Sequence, residues 1–304
     1  MKFAFFDHQN KGAAYLRELS TKHTPIALSL PDDPRVDFVF TDSDLRARRK
    51  HLERLKRAGA RACFVYPHTA GPNLVNDIEP AWEHVTAHFV ATRAQRKIMA
   101  DYGYPRPIYD VGWSLCELRE FQQRPHLRYV LFAPIHHRSA AVDQLANREA
   151  FARLAPLAVA GEIVLTVRHY KGLETTGIER VEHANIQYVE TGLEPEHVAI
   201  DAADAVVAHQ TFLYLAVARG VPAVGFGTWI PSHIVPGDAV HYAPNWNNYV
   251  RELAFPLDIA FGDPHDLLWT AVEGDARVTD WRARMIGGPF DANRFMGIVE
   301  ELLR

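Results

Sequence analysis

Short hydrophobic runs alternate with amphipathic segments along the whole chain. The runs predict β-strands at residues 2–7, 25–30, 38–41, 62–66, 88–92, 108–111, 129–133, 163–168, 186–190, 205–208, 223–226 and 240–242. In the first half, the segments between them predict helices at residues 12–20, 44–58, 74–82 and 93–102. Several runs are hydrophobic without alternation, as expected for strands covered by helices on both faces. The pattern predicts an α/β protein with two parallel sheets in tandem.

A polar stretch at residues 119–126 separates the two halves. We therefore predict one domain at residues 1–122 and a second domain at residues 126–288, which suits a chain of 304 residues. The halves differ in charge. Residues 1–125 carry 19 Lys and Arg against 15 Asp and Glu, and residues 126–304 carry 14 against 22. Opposite net charges of +4 and −8 suggest different partners, although solvated surface charge also explains them.

The composition narrows the class of protein. Only two cysteines occur, Cys63 and Cys116, which excludes a disulfide framework and a cysteine-rich zinc domain. The hydrophobic run at the N-terminus is too short for a signal peptide, and no window approaches the ~20 apolar residues of a membrane span. We therefore expect a cytoplasmic protein without a transmembrane segment.

Polar residues follow several predicted strands, at the edge where open parallel sheets bind ligands. In the second half these are His136, His137 and Arg138, then Arg168, His169 and Lys171, then His209, Gln210 and Thr211. Cations and histidines at helix N-termini predict an anion site suited to a diphosphate, with Thr211 capping a helix at residues 212–219. The alternative for Thr211 is a plain capping turn beside a packed histidine.

The first half has its own candidates at strand ends. His68 could take a proton from an attacking hydroxyl, and Asp7 and His8 could orient that base. Lys11 and Gly12 suit a close approach to the acceptor. The alternative for His68 is a loop histidine bonded to the backbone.

Residues 46–61 form a basic segment with eight Lys and Arg and only a narrow hydrophobic stripe. Arg48, Arg49 and Arg54 are candidates for binding a polyanionic acceptor, although a solvated helix face is the default interpretation.

Several enzyme classes lack their motifs in this sequence. There is no H-E-x-x-H zinc motif, no G-x-G-x-x-G dinucleotide fingerprint, no P-loop and no G-x-S-x-G elbow. This argues against a zinc hydrolase, a Rossmann dehydrogenase, a P-loop NTPase and a serine hydrolase. We expect no bound metal.

Four segments together resemble the GT-B glycosyltransferases. The segment DAADAVVAHQTFLYLAVARGVPAVGFG (201–227) resembles their donor-site stretch, and FVATRAQRKIMADYGYPRPIYDVGW (89–113) resembles the closing part of their first domain. YVLFAPIHHR (129–138) is similar to the first strand of the second domain, as in teichoic-acid-type glycerophosphotransferases and UDP-sugar 2-epimerases. GPFDANRFMGIVEELLR (288–304) resembles their final helix.

The resemblance implies two Rossmann-like domains facing each other across a cleft, with residues 289–304 packing back on the first domain. It implies a metal-independent glycosyltransferase without a cofactor, whose co-substrate is a nucleotide sugar such as a UDP-sugar. The donor diphosphate would lie near Arg138, Arg168, His169, His209, Gln210 and Thr211, and His68 would stand on the acceptor side. The sequence departs from the family at Leu215, where many relatives carry a carboxylate that binds the donor ribose.

The basic first half favours an anionic acceptor. One candidate is DNA with a hydroxylated base, flipped out of the duplex as in viral DNA modification, in the host cytoplasm. Another is a phosphate-bearing cell-wall polymer or lipid, as for a glycerophosphotransferase. A sugar-nucleotide 2-epimerase and a non-catalytic nucleotide-binding protein remain alternatives for the whole chain.

Overall fold

The computed structural model of the chain describes residues 2–6, 27–29, 38–41, 53, 56–57, 59, 61–66, 83–101, 103–113, 116–135, 141–169, 172–192, 195–226 and 254–304. They fall into two compact units. The first contains the described residues up to Cys116 together with Met285–Arg304, and the second contains those between Glu117 and Arg284. Each unit is built on a parallel sheet, so the predicted α/β class is confirmed.

The sheet of the first unit has six described strands: β1 (Lys2–Phe6), β2 (Ala27–Ser29), β3 (Phe38–Thr41), β4 (Ala62–Val65), β5 (Ala87–Val90) and β6 (Ile108–Asp110). Their order is β2-β1-β3-β4-β5-β6, and every neighbouring pair is parallel. Helix α1 (Arg93–Asp101) follows β5. β4 and β5 are buried along their whole length, which explains their continuous hydrophobic runs.

The sheet of the second unit contains β7 (Tyr129–Ala133), β8 (Val164–His169), β9 (Ile186–Glu190), β10 (Ala205–Ala208) and β11 (Ala223–Gly225). Its helices are α2 (Ala141–Val159), α3 (Glu196–Ala202), α4 (Gln210–Ala218), α5 (Pro264–Glu273) and α6 (Ala276–Met285). The strand order is β11-β10-β7-β8-β9, so the chain moves to one side of β7 and then returns to the other. Such a topological switch point is where α/β sheets bind ligands.

The last helix, α7 (Ala292–Leu303), belongs to the first unit. Asp291 caps it by accepting a hydrogen bond from Arg294 N at 2.9 Å. Its buried face includes Phe295 and Val299, and the Phe295 ring lies 4.5 Å from that of Phe89 on β5. The C-terminal segment therefore completes the core of the first unit. Among the described residues, no helix combines the length and hydrophobicity that crossing a bilayer requires.

Eleven of the predicted strands correspond to observed ones, with bounds that agree or shift by one or two residues. The predicted strand at residues 240–242 and the helices at 12–20 and 74–82 lie outside the described residues. Of the predicted helix at residues 44–58, the described Glu53, Lys56 and Arg57 are helical.

The polar stretch at residues 119–126 packs on the second unit. Arg119 N donates to Ala218 O at 2.9 Å, and Gln122 N donates to Gly220 O at 2.8 Å. Gly220 has φ +71°, and a Cβ there would collide with the carbonyl of Glu120. The predicted first domain runs to residue 122, whereas the second unit begins earlier because these backbone groups pair with the end of α4.

His88 on β5 is a titratable group enclosed in the core. It is fully buried, its ring meets that of Tyr104 edge-on at 5.5 Å, and neither ring nitrogen has a hydrogen-bond partner among the described residues. This burial disfavours the charged ring and lowers the pKa of His88 to about 3. The folded protein therefore keeps His88 neutral at pH values where an unfolded chain protonates it.

We expect acid to destabilise the fold through His88. Below pH 6.5 His88 is protonated in the unfolded state but stays neutral in the folded state. The free energy of unfolding should therefore fall by ~1.4 kcal/mol per pH unit until about pH 3. Urea unfolding should thus show a loss of about 2 kcal/mol between pH 7 and pH 5. His88→Leu should remove this part of the pH dependence. The same slope in the variant and the parent would contradict the prediction.

Candidate functional site

The carboxyl edge of the second sheet brings together the ends of β7, β8 and β10. Ala133 at the end of β7 pairs with Ala208 on β10, and Phe132 pairs with Val167 on β8. Arg168 and His209, which follow Val167 and Ala208, therefore flank the end of β7 on its two sides. With neighbouring strands ~4.8 Å apart, side chains from both can reach over this point.

Arg168 is the most buried of the described candidate residues. It is 2% exposed, and its guanidinium carbon lies 6.0 Å from the ring centroid of Phe212 in the first turn of α4. The contact joins two of the polar segments that the sequence singles out. It also places a cation beside the positive end of a helix dipole, and this arrangement attracts an anion.

His209 occupies the cap position of α4 without capping it. Its backbone is extended there, with φ −122°, and its side chain makes no capping hydrogen bond. Instead the ring points to the loop after β11, where Nδ1 donates to Phe226 O at 3.0 Å. By contrast, Asp263 and Asp291 cap α5 and α7 through their side chains. The cap position of α4 therefore leaves the first-turn N–H groups to other acceptors, a role that phosphate oxygens fill at helix N-termini.

Helix α4 begins two residues earlier than predicted. Gln210 is its first residue, so Thr211 lies inside the first turn and is half-buried. The predicted capping role of Thr211 is therefore wrong, because an N-cap residue must precede the helix with non-helical backbone angles. Thr211 still lies in the first turn of α4, at the predicted anion site.

His169 does not join Arg168 on the same face of the sheet. Successive side chains of a strand point to opposite faces, and Arg168 takes the face that carries α4. The carbonyl of His169 accepts hydrogen bonds from Thr191 N at 2.6 Å and Thr191 Oγ1 at 2.7 Å. Its buried Nδ1 has no hydrogen-bond partner in the described part of the chain. The sequence analysis did not single out Thr191. The available signal was its position directly after the predicted strand at residues 186–190.

The remaining candidates lie outside the described residues. These are His136, His137, Arg138 and Lys171 on the donor side, and Asp7, His8, Lys11, Gly12, Arg48, Arg49, Arg54 and His68 on the acceptor side. Their roles stay predictions.

The body of α4 is enclosed in the core of the second unit. Leu213 through Ala218 are all buried, and Leu215 is 5% exposed. The position at which many GT-B relatives carry a ribose-binding carboxylate is therefore an interior hydrophobic position here. Only the first turn of α4 reaches the carboxyl edge.

The first unit has an open depression of about 510 Å³ beyond the end of β6. Asp110 ends that strand and accepts a hydrogen bond from Gly112 N at 3.3 Å. Asp291 and Arg294 contribute from the start of α7, and Gly287 lies beside Asp110, where a Cβ would come within 3.3 Å of the carboxylate. Carboxylates and guanidinium groups can hydrogen-bond hydroxyls and anionic groups. The sequence did not single out these residues, although Asp110 stands inside a predicted strand end.

One group of described residues has the chemistry of metal ligands. Asp263, His265 and Asp266 carry ligand atoms within 4.8 Å of one another at the start of α5. Asp263 accepts hydrogen bonds from His265 N at 2.9 Å and Asp266 N at 3.2 Å, while His265 Nε2 accepts one from Trp269 at 3.1 Å. The cluster thus forms a helix cap, and His265 lies 3.7 Å from Glu162, before the start of β8. It belongs to the amino edge of the sheet, away from Arg168.

Comparison with known proteins gives no match to a family model and none among curated proteins. Among solved structures, MnaA of S. aureus in complex with UDP matches with a TM-score of 0.61 and 10% identity, over 99% of this chain and 96% of that one. The pneumococcal O-GlcNAc transferase GtfA with UDP and GlcNAc matches at 0.46 and 13% identity, over 88% and 57%. The lipopolysaccharide outer core galactosyltransferase WaaB matches at 0.46 and 14% identity, over 92% and 97%. On the MnaA match, and in agreement with the resemblance of the four sequence segments, the chain has the GT-B fold.

Proposed function

We propose that the protein binds a nucleotide sugar at the carboxyl edge of its second unit and transfers the sugar to a hydroxyl acceptor. The observation that carries this proposal is the buried Arg168 guanidinium beside the N-terminus of α4, at the switch point of the sheet. This is a place where two positive groups can hold a diphosphate. Because MnaA of the same fold is seen with UDP, UDP is the first nucleotide to test.

The chemistry follows from the charge that the reaction generates. The bond between the anomeric carbon and the diphosphate oxygen breaks, a bond to the acceptor oxygen forms, and the acceptor loses its proton. Negative charge develops on the departing diphosphate, where Arg168 and the first turn of α4 stabilise it without a divalent cation. A base takes the acceptor proton, and His68 remains the predicted base.

The acceptor would bind to the first unit. The depression beside Asp110, Asp291 and Arg294 offers groups that can hold hydroxyls and an anionic substituent. DNA with a hydroxylated base remains the acceptor suggested by the basic segment. Its described members Lys56, Arg57 and Arg61 are exposed. Duplex DNA binding measured at rising salt concentration tests this acceptor separately from the transferase activity. If DNA is the acceptor, the affinity should fall as the salt concentration rises.

We expect UDP release from a UDP-sugar in the presence of EDTA, once a hydroxyl acceptor is supplied. The assay uses a panel of nucleotide sugars and acceptors, with and without EDTA and added Mg²⁺. UDP release that requires added Mg²⁺ would contradict metal independence but not the transferase activity. A changed sugar without any acceptor would identify an epimerase, and UDP binding without turnover would indicate a nucleotide-binding protein. The absence of any nucleotide binding would overturn the proposal as a whole.

A further inference from the structure

One buried amide side chain ties together the segments that leave two strands of the second sheet. Asn147 lies on α2 and is completely buried. Its side-chain oxygen accepts a hydrogen bond from Ile135 N at 2.8 Å, and its side-chain nitrogen donates to Ile135 O at 2.9 Å and to Thr176 O at 3.0 Å. Ile135 lies two residues beyond β7, and Thr176 ends the short 3-10 helix Leu173–Thr176 that follows β8.

The surroundings of Asn147 on α2 call for a hydrophobic residue. Ala146, Ala150, Phe151 and Leu154 are all buried on this helix. A polar group in such a place is tolerated only when its hydrogen bonds are made. Asparagine supplies one acceptor and two donors at this reach, whereas aspartate lacks the donors and leucine lacks both. The three backbone groups therefore explain why an asparagine stands here, and the packing of α2 does not.

The clamped backbone leads directly into the predicted donor loops. Residues 136–138 follow Ile135, and Lys171 precedes the 3-10 helix. The pairing of β7 with β10 ends at Ala133 and Ala208. Ile135 lies beyond this point, and its backbone N–H and C=O bond to the side chain of Asn147 instead. Ile135 follows β7 and Thr176 follows β8, and the carboxyl ends of these neighbouring strands lie at the edge that holds Arg168.

We propose that Asn147 is a positioning residue for the donor diphosphate, which fixes the backbone at Ile135, beyond β7, and at Thr176, beyond β8, at the edge of the sheet that holds Arg168. It acts through the backbone of Ile135 and Thr176 and does not itself touch the donor. The inference rests on the proposed function, because it assumes that this edge of the sheet binds a nucleoside diphosphate.

A matched control lies on the opposite edge of the same sheet. Asn185 precedes β9 and donates from its side chain to Ala158 O, near the end of α2, at 3.1 Å. Both asparagines thus tie α2 to a neighbouring segment through backbone carbonyls. Asn147 does so towards the carboxyl edge of the sheet, and Asn185 does so at the amino edge.

The test compares UDP affinity by calorimetry in the parent chain and in Asn147→Asp, Asn147→Ser and Asn185→Asp, well below their melting temperatures. We expect the Asn147 variants to bind UDP about tenfold more weakly or worse, and Asn185→Asp to stay within about twofold of the parent even where its melting temperature falls. If the parent binds UDP and the Asn147 variants bind it equally well, this inference falls and the proposed function stands. A parent that binds no UDP overturns both.

Hydrogen exchange on Asn147→Ser keeps the inference testable if Asn147→Asp does not fold. Amide exchange should accelerate around residues 135–140 and 172–176, while the central residues of β7 stay protected as in the parent. Acceleration throughout the second unit would show a general structural role and would overturn the inference.

Discussion

Arg168→Ala should weaken UDP binding by between about tenfold and a hundredfold. A hydrogen bond to a charged group is worth about 1.5–3 kcal/mol, and each 1.4 kcal/mol is a factor of ten in affinity. The side chain is 2% exposed and stands beside the first turn of α4, where bulk solvent screens it little. Isothermal calorimetry with UDP measures the change directly.

Arg128→Ala is the matched control for that experiment. Its guanidinium carbon also lies over an aromatic ring, 5.4 Å from the centroid of Tyr129, but it stands at the amino end of β7. UDP affinity should stay at the parent value in this variant. Arg168→Lys should fall between the parent and Arg168→Ala, because lysine keeps the charge and loses the planar fork of donors. Equal affinity in the parent and Arg168→Ala would remove Arg168 from the donor site.

Arg219→Ala should destabilise the second unit by about 1.5–3 kcal/mol, the range for hydrogen bonds to charged groups, because the carboxylates that it leaves are partly exposed. Arg219 follows α4 with its side chain 5% exposed, and it pairs with Asp201 on α3 through Nε at 2.7 Å and through a terminal nitrogen. Its other terminal nitrogen donates to Glu117 at 2.6 Å. Arg119 also contacts both carboxylates, Asp201 at 3.2 Å and Glu117 at 2.8 Å, and these contacts remain in the variant. Urea unfolding measures the effect.

The same pair predicts a dependence on acid. Hydrogen bonds from Arg219 lower the pKa of Asp201 below its ordinary value of 3.8. The stabilisation is therefore present above pH 3.8 and disappears as the pH falls through the lowered pKa, and this part of the acid sensitivity should be absent in Arg219→Ala.

Two measurements show whether Arg219 acts on stability alone. Arg277 makes a similar bond to Asp275 at 2.6 Å, but its side chain is 65% exposed, so Arg277→Ala should cost less than ~1 kcal/mol. UDP affinity should also be unchanged in Arg219→Ala, because Arg219 stands at the end of α4 opposite its first turn. A cost equal to that of Arg277→Ala would contradict the prediction.

Much of the fold was predictable because strands covered on both faces are continuous hydrophobic runs. The observed β7 and β10 begin and end at the predicted residues, and β10 is buried along its whole length. Arg168 and His209 stood out for the same reason, since each is a polar residue at the end of such a run. The amino-acid order also contained the signals for α7, with Asp291 at its start and hydrophobic residues at helical spacing.

Only the structure shows which of these polar side chains lie on the same face of the sheet and close to one another. Alternation along β8 separates Arg168 from His169, and the contact between Arg168 and Phe212 depends on the order β10-β7-β8 across the sheet. Likewise, His209 turns to Phe226 and leaves the start of α4 without a side-chain cap.

The hydrogen bonds of Asn147 could not be predicted from local patterns either, because Ile135 and Thr176 lie 12 and 29 residues away from it in the chain. The sequence by itself determined the described strands, helices α1, α4 and α7 and the polar residues that follow the strands, since each depends on neighbours within a few positions. Only the tertiary structure decided the strand order, the face that each side chain takes and the hydrogen bonds between distant segments. Those depend on pairings between residues that local patterns cannot relate to one another.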